Sequence, residues 1–241
     1  MDVVVGDTHC RFGALNQFIN KHRPRNILVC GDFGYWPRFA DCKLSQIKNP
    51  KTKIYFCDGN HEDHQALEEF KKEVKPVEVA KNIFYMPRGS VLQRRGHNIL
   101  FIGGAESIDK AYRVEGHDWF PQESITDEDL NRLPNRKITM VISHTAPSFM
   151  KEAMGYPYKG DIAWGDEMVC PPNIVDNGKF TISSYKLDEV FEKYHPQIWC
   201  YGHFHRNFYS FQSGCHFYGL TMLPYDGWWK TLGEIFKHSL K

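Results

Sequence analysis

VVVGDTH, residues 3–9, is a β-branched run that stops at a glycine and delivers an aspartate and a histidine. The same design recurs along the chain. ILVCGD (27–32) ends in Asp32, and IYFCDGNH (54–61) ends in Asn60 and His61. ITMVISH (138–144) ends in His144, and IWCYGHFH (198–205) ends in His203 and His205. Short apolar runs of this kind read as buried strands. When each carries oxygen or imidazole groups at its carboxyl end, an α/β sheet with a site along one edge is implied. Loops leaving that edge converge from several strands. Residues i and i+2 of an extended chain face the same side, so Asp7 with His9, and His203 with His205, present together. Glycines 6, 31, 59 and 202 precede these groups and are expected to let the backbone turn sharply.

Helical patterns alternate with the strands. Phe12, Leu15, Phe18, Ile19 and His22 recur at helical spacing up to Pro24, and Leu187, Val190, Phe191 and Tyr194 do so up to Pro196. Residues 62–75 read as a charged helix, with the run from Glu68 to Lys75 as its solvated face. Thr126, followed by three acids, reads as a helix N-cap with Leu130 and Leu133 turned inward. Strand-like pieces occupy Val77–Val79 and Ile83–Met86. Val91–Arg94 and Ile99–Ile102 read as a hairpin turning near Gly96-His97-Asn98, and Cys215–Leu223 adds one or two further strands. One domain over 1–241 is expected, with irregular insertions near 103–125 and 145–180, of a length that is usually functional or disordered.

The 241 residues suffice for a sizeable core. Thirty Lys and Arg face 29 acids, which argues against an extensive nucleic-acid surface and leaves room for a local basic groove. No apolar run approaches the roughly 18 residues of a membrane span, and the first residues lack a leader pattern, so a cytoplasmic protein is expected. Seven cysteines without framework spacing imply reduced thiols. Cys30, Cys57 and Cys200 read as small buried hydrophobes. Trp228 and Trp229 fit either a packed tail or an interface patch.

The blocks Asp7-Thr8-His9, Gly31-Asp32, Gly59-Asn60-His61-Glu62, His144 and Gly202-His203-Phe204-His205 stand in the order and spacing of the calcineurin-like metallophosphoesterases. The chain resembles that superfamily over residues 6–205. A lone D-x-H means nothing; five ordered blocks are specific. The resemblance implies a four-layer α/β/β/α sandwich with two mixed sheets. It implies a dinuclear centre in which Asp7, His9, Asp32 and His205 hold one metal. Asp32, Asn60, His144 and His203 hold the other, with Asp32 bridging. Oxygen and imidazole donors suit Mn²⁺, with Fe or Zn²⁺ as alternatives, and a metal-bridging hydroxide would attack phosphorus in line. His61 resembles the family's histidine that contacts the phosphoryl group and helps protonate the leaving oxygen, oriented by Asp32 or a neighbouring acid.

The expected substrate is a small phosphorylated molecule, mono- or diester, of nucleotide-like character. Lys110 and Arg113 are candidates to bind it, and Trp119, Phe120, Tyr156, Tyr158 and Trp164 are candidates to stack a base. Protein serine/threonine phosphatase or nuclease activity, or an inactive binding protein on the same fold, are the alternatives. The arginine that such phosphatases carry shortly after GNH is absent, and no ligand position is lost.

Overall fold

Alternating side chains in each strand run sort themselves onto two apolar faces, and the fold follows from covering both. The computed structural model describes residues 1–48, 51–155 and 181–238. The first sheet contains β1 (Asp2–Val5), β2 (Asn26–Val29), β3 (Lys53–Phe56), β4 (Val77–Ala80), β5 (Ile83–Tyr85) and β12 (Trp229–Thr231), in the order β12-β1-β2-β3-β5-β4. The second contains β6 (Val91–Arg94), β7 (His97–Ile102), β8 (Met140–Ser143), β9 (Ile198–Tyr201), β10 (Phe208–Gln212) and β11 (Cys215–Gly219), in the order β10-β11-β9-β8-β7-β6. Each sheet has four central parallel strands and an antiparallel strand at either edge.

Val4, Leu28, Tyr55, Phe101, Ile142 and Ile198 point between the sheets and form the inner core. Their neighbours Val3, Val5, Ile27, Val29 and Phe56 point outward, where α1 (Phe12–His22) covers them with Phe12, Leu15, Phe18 and Ile19. On the other flank Leu100, Ile102, Val141, Trp199 and Phe217 meet Leu187, Val190 and Phe191 of α5 (Ile182–Tyr194). The layers are therefore α/β/β/α. Truncating a side chain as enclosed as Phe101 costs about 3–5 kcal/mol.

Several local expectations shift. The charged helix of 62–75 is only α2 (His64–Leu67) followed by a 3-10 turn over Glu68–Lys72. Asp63 caps α2, while Glu62 is drawn into the site. The hairpin turns at Arg95-Gly96, one residue earlier than its composition suggests; both have positive φ, as a two-residue turn requires, and Arg94 pairs with His97. The Thr126 cap is present, reciprocated by Asp129 at the start of α3 (Asp127–Asn131). Most of the 145–180 insertion lies outside the described residues. Its start carries α4 (Met150–Ala153). α6 (Leu232–His238) closes the inner core with Leu232, Ile235 and Phe236. Trp228 is buried and, with Trp229, packs edge-on against Phe18, so this pair is a packed tail.

The thiol expectation needs correcting. Cys10 and Cys42 form a disulfide across a sequence separation of 32. Their meeting depends on how the loops after β1 and β2 fold together, which no spacing rule displays. Cys30, Cys57, Cys200 and Cys215 are free and buried, the first three in the inner core.

Candidate active site

The parallel strands all end on one edge, and the residues singled out by the motifs meet there. The backbone carbonyl of Asp32 accepts the amides of Thr8 and His9 (3.0 and 2.8 Å), joining the β1 and β2 loops. Asp7 reaches the Nε2 of His205 at 2.9 Å and accepts the amide of His203. His9 Nε2 lies 3.1 Å from His205 Nε2 and 3.7 Å from carboxylate oxygens of both Asp7 and Asp32. Across the site, His144 Nε2 lies 3.3 Å from Asp32 Oδ1 and 3.0 Å from Asn60 Oδ1, and His203 Nδ1 is 3.1 Å from the same Asn60 oxygen. All seven expected ligands are brought together.

Two of the glycines act through space rather than through turning. A Cβ on Gly202 would stand 1.9 Å from Asp7 Oδ1, and one on Gly59 would stand 2.1 Å from Asp32 Oδ1. Gly31 turns as expected, at φ 82°, and further sharp turns fall on the expected ligands themselves. His9, Asp32, His203 and His205 all have φ between 43° and 62°. Left-handed backbone costs a non-glycine residue about 1–3 kcal/mol and gathers where function requires it.

The donor chemistry calls for cations. His144 Nδ1 donates to the Cys30 carbonyl (2.8 Å), which leaves Nε2 aimed at oxygens that can only accept. Burial opposes a charge on His144, but Asp32 and Asp7 outweigh it and push its pKa up to about 10. A proton there supplies the positive charge that these carboxylates demand. Burial likewise raises Asp32, but the facing histidines, His144 first, hold it well below the usual carboxylate range. Three overlapping groups are close enough to hold an ion: Asp7, His9 and His205; His9, Asp32 and His61; and Asp7, Asp32 and His144. The residues fit divalent metals, and His61 stands close enough to contribute.

Residues 3–207 match the family model described as calcineurin-like phosphoesterase. The chain belongs to that family. It is a metallophosphoesterase, a phosphoric ester hydrolase of a family that uses divalent metals. Among solved structures it is similar to a phosphopantetheinyl hydrolase from Mycobacterium tuberculosis, at 14% identity and a TM-score of 0.52, covering 96% of this chain and 95% of that one. It is also similar to an archaeal phosphodiesterase, at 10% identity and a TM-score of 0.41, over 92% of this chain and 83% of that one. No curated protein matches.

The phosphoesterase adds supporting groups that the motif reading passed over. Glu62, the last residue of the GNHE block, is fully buried and accepts the amides of Gly34 (3.0 Å) and Gly59 (2.6 Å), tying two ligand loops. Burial, then the charge of Asp32, pushes its pKa up to about 8. Asn60 Nδ2 donates to Ser107 Oγ (3.2 Å), and Ser107 donates through Oγ and N to Glu123. That contact aims the Asn60 oxygen at His144 and His203, and it comes from the 103–125 insertion. An acid beneath a ligand loop has no sequence period, so only the position of Glu62 within the block could have flagged it.

A cavity of about 350 Å³ opens over the histidines, with Arg11, Arg113, Ile108 and Met222 on its wall. Arg113 NH2 is 3.1 Å from His61 Nε2, and Asp109 holds the same guanidinium. Arg11, two residues beyond His9, was not anticipated. Lys110 is not brought into the cavity; it is exposed, 5.7 Å from the Trp119 ring centre. Phe120 is buried, Trp119 donates to Glu123, and Tyr156, Tyr158 and Trp164 lie outside the described residues. Asp32 Oδ1 accepts the His61 amide (2.8 Å), so it fixes the backbone of His61. Burial, with Asp32 opposing and Arg113 assisting, pushes the His61 pKa down to about 4.

Proposed function

We propose that this phosphoesterase is dinuclear and hydrolyses a small mono- or diester of nucleotide-like size. The disposition of Asp32 carries the reading: Oδ1 faces His144 and Oδ2 faces His9, so one carboxylate stands between two donor sets. Asp7, His9, Asp32 and His205 would hold one ion, and Asp32, Asn60, His144 and His203 the other. The donor mixture suits Mn²⁺, with Fe or Zn²⁺ also compatible. When bound, such ions supply Lewis acidity toward the phosphoryl oxygens and acidify water for in-line attack.

The chain's own groups do the rest. Arg113 and Arg11 offer forked donors to phosphate oxygens from the cavity wall. Arg113 only donates, so His61 Nε2 accepts from it and is neutral in the metal-free chain. An arriving phosphoryl group competes for that guanidinium and frees His61 Nε2 to take up a proton from solvent and pass it to the leaving oxygen. Ile108 and Met222 give the leaving group an apolar wall. A cavity of about 350 Å³ supports a small molecule over a protein or duplex substrate.

The test is metal analysis after Mn²⁺ loading, paired with hydrolysis of bis(p-nitrophenyl) phosphate. Two ions per chain are expected. Asp32→Asn should lose activity more severely than replacement of any ligand serving one ion. A single ion per ordered chain, or near wild-type turnover in Asp32→Asn with both ions retained, sinks the dinuclear reading.

A further inference from the structure

A concentration of positive charge lies away from the histidines. At the opposite ends of the same strands, where β1, β2 and β3 begin, a cavity of about 530 Å³ is lined by Arg25, Lys51, Lys53, Arg94, Arg95 and Asp2, with Asn26 and Met1 completing the wall. Five cationic side chains face one carboxylate, in a chain whose total charge is nearly balanced. That carboxylate is engaged: Asp2 accepts from Asn26 Nδ2 at 2.7 Å and lies 3.9 Å from Arg95 Nε.

We propose that this cavity binds a small multivalent phosphate anion of the pyrophosphate or tripolyphosphate class. The pairing register enforces the cluster. Asp2, Asn26 and Lys53 sit level across three parallel strands, and Lys53 donates its amide to the carbonyl of Arg25. Arg25, one residue before Asn26, and Lys53 therefore stand at neighbouring strand starts on the rim of the cavity, and like charges gathered there repel unless an anion lies among them. Arg94 arrives from the other sheet, at the seam. Its NH1 donates to the Gln93 carbonyl and its NH2 to Tyr55 Oη, with the guanidinium over the Tyr55 ring. Its Nε is buried without a hydrogen-bond partner. The fork is thus held in place before a ligand arrives.

The lining offers no aromatic face, so recognition rests on charge alone and does not require a nucleoside. The cavity has the dimensions of a small-molecule site. Asp2 and Asp7 lie five extended residues apart, roughly 16 Å, so an anion here does not touch the catalytic groups.

The experiment titrates tripolyphosphate into the Mn²⁺-loaded protein by calorimetry, alongside Arg25→Gln/Lys53→Gln, Arg94→Gln and His203→Ala. Both arginine and lysine changes in the double variant fall on exposed side chains, so it should fold and hydrolyse bis(p-nitrophenyl) phosphate at the wild-type rate. Losing charge-assisted hydrogen bonds should weaken the anion at least about tenfold in that variant and in Arg94→Gln. His203→Ala should retain the site, and raised salt should weaken it. Unchanged affinity in the double variant overturns the proposal. So does loss in His203→Ala, which would place the anion at the catalytic centre. A single-stranded oligonucleotide that binds the wild type more tightly than tripolyphosphate, and competes with it, also overturns it.

Discussion

Asn60 has one carbonyl oxygen facing two histidines, and its amide nitrogen is what keeps that oxygen pointed correctly. Ser107→Ala removes the acceptor, and the amide can then rotate. Losing a partner beneath a metal ligand typically costs 10–100-fold in affinity or activity. Ser107→Ala should therefore weaken Mn²⁺ binding about tenfold, seen by competition with a chelator, with little change in melting temperature. His61 poses a different question, since it is close enough to His9 and Asp32 to ligate yet stands outside both four-residue sets. His61→Ala should keep both metals and slow an alkyl or ribose ester more than a nitrophenyl ester, whose leaving group needs no proton. Equal slowing would favour phosphate binding over proton donation, and metal loss would make His61 a ligand. At this scale the motif residues were legible because their chemistry is tied to strand ends. Ser107, Glu62 and Arg11 were not, because a hydroxyl, a carboxylate or a guanidinium becomes a partner only once loops meet.

The elements were legible where burial imposes a period. β1, β2, β3 and β9 appear within a residue of their apolar runs, and α1 and α5 follow their spacing. β10 was missed because none of its residues is buried: half-buried and exposed ones alternate at a sheet edge. β12 was missed because its three residues, beginning with the second of two tryptophans, lie in sequence that resembles a loop. The charged stretch after His61 was read too long because its first acids turn inward: Glu62 to two loop amides, Asp63 to Arg38 at 2.7 Å. Arg38 also donates to the Gly116 carbonyl, so one side chain ties the β2 loop to the 103–125 insertion. The Cys10–Cys42 bond ties the same β2 loop to the residue after His9. Closing a loop of this length stabilises by about 3–4 kcal/mol through the unfolded chain. Cys10→Ser/Cys42→Ser should lower unfolding free energy by that order in a denaturant titration and weaken metal retention through a looser His9. Two further alkylatable thiols in the native wild-type protein, mapped to Cys10 and Cys42, would remove the bond from the account.

At the scale of the molecule, the two sheets are joined to the insertion by one buried cation. Arg88 is 3% exposed and donates to Asp58 at the end of β3, to Asp129 in α3, and to the carbonyls of Gln122, Glu123 and Ser124. Burial by itself would raise both carboxyls; the Arg88 guanidinium outweighs it and holds Asp58 well below the usual range, with Asp129 lowered in the same sense. Carboxylates depressed on folding stabilise the native state above their unfolded pKa, near 4, and that contribution is lost as pH falls through the folded values. Arg88→Met leaves buried Asp58 without its ion-pair partner and Asp129 with Arg132 alone, and removing one partner of such a network costs about 3–5 kcal/mol. The loss should be largest near pH 7, where Asp58 must ionise without its partner or carry a proton at a cost, and Asp129 has only Arg132 to face. It should shrink as pH falls toward 4, because protonation relieves the variant while it begins to weaken the wild type. Denaturant titrations of both proteins from pH 7 to pH 4 decide the matter. A gap that stays constant across that range would mean that Arg88 acts through packing and carbonyl contacts rather than through its charge on Asp58 and Asp129.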